Sequence, residues 1–84
     1  MKIIIVDSGV WISAFLKKDK YHPQGKKFLI WLNSQNYIKI VSTDYIISEI
    51  LAYLRRKADP LLANDALEMM LNHEKIDVYY SNEK

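Results

Sequence analysis

The chain has 84 residues, of which half are hydrophobic, with no cysteine and a formal net charge of +2. This length allows one small domain, and the absence of cysteine excludes a disulfide scaffold and a thiolate zinc site. The charge is too small to identify a nucleic-acid binder, and the lack of a signal peptide or of about 20 consecutive apolar residues predicts a cytoplasmic protein without a membrane span.

The first predicted element is a strand formed by the branched apolar residues 3–6. Because this run does not alternate with polar residues, we expect both faces of the strand to be buried, as in a parallel sheet covered by helices. Asp7 follows at the carboxyl end of the strand, where ligands bind in open α/β sheets. Ser8 is a good N-cap for the next helix, and Gly9 permits close approach of a backbone or ligand. Asp7 is therefore a candidate site residue, with helix capping as an equally good alternative.

Two helices are predicted before the second strand. Residues 10–15 form the first, and Pro23 suits the first turn of the second. Across residues 24–33 the apolar positions recur at spacings of three and four, as on one face of an amphipathic helix. Residues 37–41 are β-branched and aromatic and predict the second strand.

The second half of the chain repeats this order of elements. Residues 42–44, Ser-Thr-Asp, are a helix-start cluster for a helix over residues 45–57, and Asp59 with Pro60 begins another that ends near His73. Residues 76–80 predict the third strand, and residues 81–84 a frayed tail. Since helical crossovers of this length join parallel strands, we predict an α/β protein with three layers, α/β/α, and a parallel sheet of strands at about 2–7, 37–41 and 76–80.

A second acid, Glu49, lies on the predicted helix after the second strand. It shares a helix face with Tyr53 and Arg56, beside the apolar stripe. From this position its carboxylate can point toward the same crevice as Asp7. Two nearby carboxylates repel each other unless a cation lies between them, and hard divalent ions prefer oxygen ligands. Pairing of Glu49 with Tyr53 or Arg56 on the helix surface is the alternative.

Two stretches of the sequence resemble the signatures of PIN domains. Residues 3–12, IIIVDSGVWI, resemble the opening of that family, in which a buried strand ends in Asp followed by Ser or Thr. Residues 41–51, VSTDYIISEIL, resemble the second signature, a strand leading to a helix that carries a Glu. The order of elements also matches across the 84 residues. The resemblance implies a PIN-like fold and a Mg²⁺- or Mn²⁺-dependent endoribonuclease, often the toxin of a toxin–antitoxin pair of the VapBC type.

The resemblance also implies roles for individual residues. Asp7 and Glu49 correspond to metal-site carboxylates, and Ser8 to a hydroxyl that hydrogen-bonds the metal's water or a substrate phosphate. The implied substrate is RNA, and the implied protein partner is an antitoxin. The basic residues that are candidate phosphate contacts are Lys17, Lys18, Arg55 and Arg56. The alternative for these cations is that they are solvated residues at helix ends.

The chain departs from the family after the third strand. PIN domains continue with two further strands and further acids that this sequence does not contain, so we expect residues 1–84 to be one PIN-like domain that is incomplete at its carboxyl end. Residues 3–6 would then form an uncovered hydrophobic edge. Three explanations remain open: a fragment of a longer protein, a truncated inactive relative, or a homodimer in which another copy covers the first strand. A non-catalytic module that binds a protein partner is accordingly the alternative function.

Overall fold

The computed structural model describes residues 1–80, and its elements follow the predicted order. Each strand boundary lies within two residues of its predicted position, and the predicted frayed tail, residues 81–84, lies outside the described residues. Within residues 1–80 no helix is long and apolar enough to span a bilayer. The elements are the strands β1 (Lys2–Ile5), β2 (Ile38–Thr43) and β3 (Ile76–Tyr79) and the helices α1 (Ser8–Phe15), α2 (His22–Ser34), α3 (Asp44–Lys57) and α4 (Pro60–Asn72).

The three strands form one sheet in the order β1-β2-β3, with both pairs parallel. Ile5 lies opposite Val41, and Val41 lies opposite Asp77. The α/β class and the parallel sheet are therefore confirmed. Because the strands are parallel, the segments that follow β1 and β2 leave the sheet at the same edge, the edge at which Asp7 was predicted to lie.

The helices cover one face of this sheet. Ile4, Ile40 and Val78 belong to or pack against the hydrophobic core, whereas the intervening positions along the strands do not. The molecule measures 37 × 35 × 18 Å between Cα atoms, and its thin dimension fits a sheet with a single layer of helices. The second helical layer of the predicted three-layer arrangement is thus not formed by residues 1–80.

The prediction that both faces of β1 are buried is wrong for this structure. Ile3 and Ile5 are 66% and 73% exposed, whereas Val6, just after the strand, is buried. The physical reason is that right-handed crossovers stepping twice in the same direction place every connecting helix on the same side of the sheet. We call the other side, formed by alternate strand residues, the open face; it comprises Ile3, Ile5, Lys39, Val41, Thr43, Asp77 and Tyr79.

Helices α1 and α2 pack closely around a glycine. A Cβ atom built on Gly25 would lie 2.5 Å from the backbone nitrogen of Ala14 and 2.5 Å from the Oγ atom of Ser13. Nearby, the fully buried ring of Trp11 contacts Phe28 of α2 edge-to-face, with 5.5 Å between ring centroids. Only glycine fits at position 25, and this contact holds the last turn of α1 against α2.

We expect Gly25→Ala to lower the free energy of unfolding by about 1–3 kcal/mol, because the methyl group overlaps backbone atoms of α1 that cannot move independently. Urea denaturation followed by circular dichroism measures the change. Gly9→Ala is the matched control, since a Cβ there meets only the Asp7 Oδ1 atom at an ordinary 3.6 Å. It should leave stability unchanged or raise it by up to about 1 kcal/mol. Equal losses in both variants would contradict the close contact at Gly25.

Candidate functional site

Asp7 lies at the carboxyl end of β1 and caps helix α1. Its Oδ1 atom accepts a hydrogen bond from the backbone N–H of Val10 at 3.2 Å, and its backbone is extended. The prediction that Ser8 is the N-cap is wrong: α1 begins one residue earlier than that assignment requires, so Ser8 is the first helical residue. Asp7 is the N-cap instead of Ser8 because it occupies the last extended position after the strand, and an N-cap residue has an extended backbone. The capping role considered for Asp7 is present, and it uses one of the two carboxylate oxygens.

Glu49 lies on the second turn of α3, which begins at the same sheet edge. The Oγ1 atom of Thr43 caps this helix by accepting a hydrogen bond from the N–H of Ile46 at 3.1 Å. Glu49 is exposed, while Ile50 beside it is fully buried against the core. Within residues 1–80, Glu49 forms no ion pair with Arg56 and no hydrogen bond with Tyr53, so the alternative of a surface pair on α3 is not observed.

Two depressions flank the amino-terminal half of α1. One, of about 380 Å³, contains Asp7 together with residues of α1 and α2. The other, of about 320 Å³, lies between α1 and α3 and is lined by Ser8, Ile12, Glu49, Ala52, Tyr53 and Arg56. We call the second one the α1–α3 depression. The structure therefore brings Ser8 and Glu49 into one depression. Asp7 precedes Ser8 in the chain but lines the other depression.

Each of the two candidate carboxylates has at least one oxygen atom that accepts no hydrogen bond within residues 1–80. The Oδ1 atom of Asp7 is used by the helix cap and its second oxygen is not, and Glu49 makes no hydrogen bond within the described residues. No group of three or more His, Cys, Asp or Glu side chains suited to a metal occurs in residues 1–80. Carboxylate oxygens are the ligand type that Mg²⁺ prefers, but Asp7 and Glu49 line different depressions.

The four predicted phosphate contacts lie in different places. Lys17 and Lys18 are exposed beyond the far end of α1, about 12 Å of helix away from Asp7, beside the start of α4. Arg55 is exposed on the last turns of α3 and does not line either of the two depressions described above. Arg56 lines the α1–α3 depression together with Glu49. Of the four cations, Arg56 is thus the one that shares a depression with a candidate site carboxylate.

Tyr53 lines the α1–α3 depression and was not among the predicted site residues. Its ring lies under the guanidinium group of Arg56, with 5.8 Å between Cζ and the ring centroid. The available signal was the spacing of Glu49, Tyr53 and Arg56, which are four and three residues apart on one helix face. This spacing was interpreted only as a possible partner set for Glu49. The structure instead pairs the tyrosine with the arginine.

Comparison with known proteins identifies the fold. The sequence matches no protein-family model and no curated protein. The structure is similar to that of Mycobacterium tuberculosis VapC20, a toxin that cleaves the sarcin-ricin loop, with a TM-score of 0.76 and 16% sequence identity. The match covers 96% of this chain and 58% of that toxin, so the chain spans little more than half of VapC20. The fold is PIN-like. The resemblance drawn from residues 3–12 and 41–51 is thus supported at the level of the fold.

We expect Asp7→Ala to lower the free energy of unfolding by about 1 kcal/mol, because α1 loses the cap at Val10. Asp7→Asn should cost much less, since the amide oxygen can accept the same hydrogen bond. Urea denaturation of both variants measures the difference. A loss in Asp7→Asn as large as in Asp7→Ala would show that the negative charge, and not the cap, is what stabilises the fold.

Proposed function

We propose that this chain is a PIN-like, metal-dependent endoribonuclease in which Asp7 and Glu49 are the metal-site carboxylates. The observation that carries the proposal is the position of Asp7 and Ser8 at the carboxyl end of β1, beside the depression that contains Glu49. The similarity to an RNA-cleaving toxin supports this reaction class at the level of the fold. We further propose that the protein acts in the cytoplasm as the toxin of a toxin–antitoxin pair.

The chemistry follows from the carboxylates. When bound, Mg²⁺ or Mn²⁺ supplies charge neutralisation at a phosphoryl oxygen and lowers the pKa of the attacking water. Asp7 and Glu49 would hold the cation at the carboxyl edge of the sheet. The hydroxyl group of Ser8, which lines the same depression as Glu49, donates a hydrogen bond to a phosphate oxygen of the substrate. The cap at Val10 fixes the orientation of the Asp7 side chain, which reduces the entropy lost on binding.

The test is cleavage of a mixed RNA substrate by the 84-residue chain with Mn²⁺. We expect Asp7→Asn and Glu49→Gln each to reduce the rate by at least about 100-fold, because each removes a charged oxygen ligand while preserving side-chain shape. Gel electrophoresis of the products measures the rate, and a chelator should abolish cleavage by the unaltered chain.

Two acids outside the candidate site provide matched controls for the removal of a negative charge. Asp59 caps α4 by accepting a hydrogen bond from Leu62 at 2.9 Å, just as Asp7 caps α1, and Glu68 is an exposed acid on α4. Asp59→Asn and Glu68→Gln should retain full activity. Absence of cleavage by the unaltered chain, or equal activity of the Asp7→Asn and Asp59→Asn variants, would contradict the proposal.

A non-catalytic module that binds a protein partner is the second candidate function. The exposure of Ile3 and Ile5 on an edge strand favours it, because an uncovered apolar strand is a pairing surface. Calorimetric titration with Mn²⁺ separates the two functions, because a non-catalytic module that binds a protein partner should bind no metal at Asp7.

We also propose that a second copy of the chain covers β1 when the 84 residues are studied alone. Sedimentation analysis should then show a reversible dimer, and Ile5→Lys should dissociate it, because a charge would be placed within the pairing surface. Ile30→Lys on α2, where Ile30 is also largely exposed, is the control and should leave the dimer intact. A monomer at high protein concentration would exclude pairing through β1.

A further inference from the structure

One end of the α1–α3 depression carries a cation held in place by an aromatic ring. The guanidinium group of Arg56 lies over the ring of Tyr53 at 5.8 Å, within the range of a cation–π interaction. Tyr53 is itself half-buried and packs against the hydrophobic core, so the platform under Arg56 is fixed. Within the described residues Arg56 forms no ion pair, which leaves its hydrogen-bond donors available to a ligand.

The other end of the depression carries the candidate site residues. Glu49 and Arg56 are seven residues apart on one face of α3, about 10 Å along the helix axis. Ala52 lies between them on the helix, and Ile12 of α1 lines the same depression. Along α3 the depression therefore presents, in order, a carboxylate, an apolar side chain and a guanidinium group supported by a ring, and α1 adds the hydroxyl group of Ser8 and the apolar side chain of Ile12.

This order of groups matches the chemistry of a nucleotide chain. A guanidinium group binds phosphate through paired, charge-assisted hydrogen bonds. An apolar floor accommodates a sugar or the face of a base, which are the parts of the chain that lie between phosphates. An acidic peptide would also be attracted to Arg56, but Glu49 at the other end of the same depression disfavours a ligand that carries carboxylates along its length.

We propose that Arg56, positioned by Tyr53, binds a backbone phosphate of single-stranded RNA next to the phosphate that lies at Asp7 and Glu49. This inference rests on the proposed function, and it assigns different roles to the four basic residues predicted from the sequence. Arg56 contacts the substrate, and Tyr53 is a positioning residue that acts through it. Lys17, Lys18 and Arg55 lie outside the depression and contribute only the general attraction of surface cations.

The experiment measures binding instead of cleavage. A fluorescein-labelled single-stranded RNA is titrated with the Asp7→Asn chain in the presence of a chelator, and fluorescence anisotropy gives the Kd at several salt concentrations. Arg56→Ala should weaken binding about tenfold at low salt and reduce the slope of log K against log salt by about 0.7, the contribution of one phosphate contact to a single strand.

Arg55→Ala is the matched control, because it removes the same charge from the same helix one residue away. It should change Kd by less than about threefold, as expected for a solvated surface cation. Tyr53→Leu should weaken binding about two- to fivefold by releasing Arg56, the range expected for one exposed cation–π interaction. Tyr53→Phe keeps the ring and should bind RNA as tightly as the unaltered side chain does, which a role of the tyrosine hydroxyl would not produce.

The outcomes separate this inference from the proposed function. If RNA binds as described but the unaltered chain cleaves nothing with Mn²⁺, the nuclease proposal fails and the assignment of Arg56 stands. If cleavage occurs but Arg55→Ala and Arg56→Ala weaken binding equally, the assignment of Arg56 is wrong. Absence of RNA binding at low salt, or equal effects of Tyr53→Leu and Tyr53→Phe, would also overturn it.

Discussion

The direction of the two crossover connections determines most of this structure. The chain steps from β1 to β2 and from β2 to β3 in the same direction, and a crossover between parallel strands is almost always right-handed. All four helices are therefore confined to one face of the sheet. The same constraint makes α1 and α3 leave the sheet from one edge and lie side by side, which creates the depression shared by Ser8 and Glu49.

Asp7 has a structural role as the cap of α1 and a second, proposed role as a metal ligand. One carboxylate oxygen accepts a hydrogen bond from the N–H of Val10 in the first turn of α1, a role that many acids fulfil without any other function. The second oxygen takes no part in the helix cap, so it is the oxygen that would bind a metal ion in the proposed function. Glu49 has no comparable structural role, because it is exposed and makes no hydrogen bond within the described residues. Its place beside Ser8 in the α1–α3 depression is the basis on which we propose it as a metal-site carboxylate.

Local signals in the sequence predicted the elements well, because caps and periodicity depend on neighbouring residues. The pair Asp59 and Pro60 defined the start of α4, and Pro23 lies in the first turn of α2, as predicted. The exposure of Ile3 and Ile5 could not be predicted in the same way, since an apolar run is equally compatible with one or two covered faces. The pairing of Tyr53 with Arg56 also depended on side-chain geometry that spacing alone does not fix. The PIN-like topology could be predicted only because the two short motifs, residues 3–12 and 41–51, occur in the order found in that family.

The ion pair on the open face has a consequence for anything that packs there. Lys39 and Asp77 lie 3.6 Å apart on adjacent strands, and both remain partly hydrated. A covering layer would remove that water, and the desolvation of a charge pair costs more than its mutual attraction returns unless new hydrogen bonds are formed. The neighbouring Ile3 and Ile5 favour an apolar surface. A layer that covers the open face must therefore be apolar over β1 and polar where Lys39 and Asp77 pair across β2 and β3. This difference between the two sides determines the orientation of that layer on the sheet.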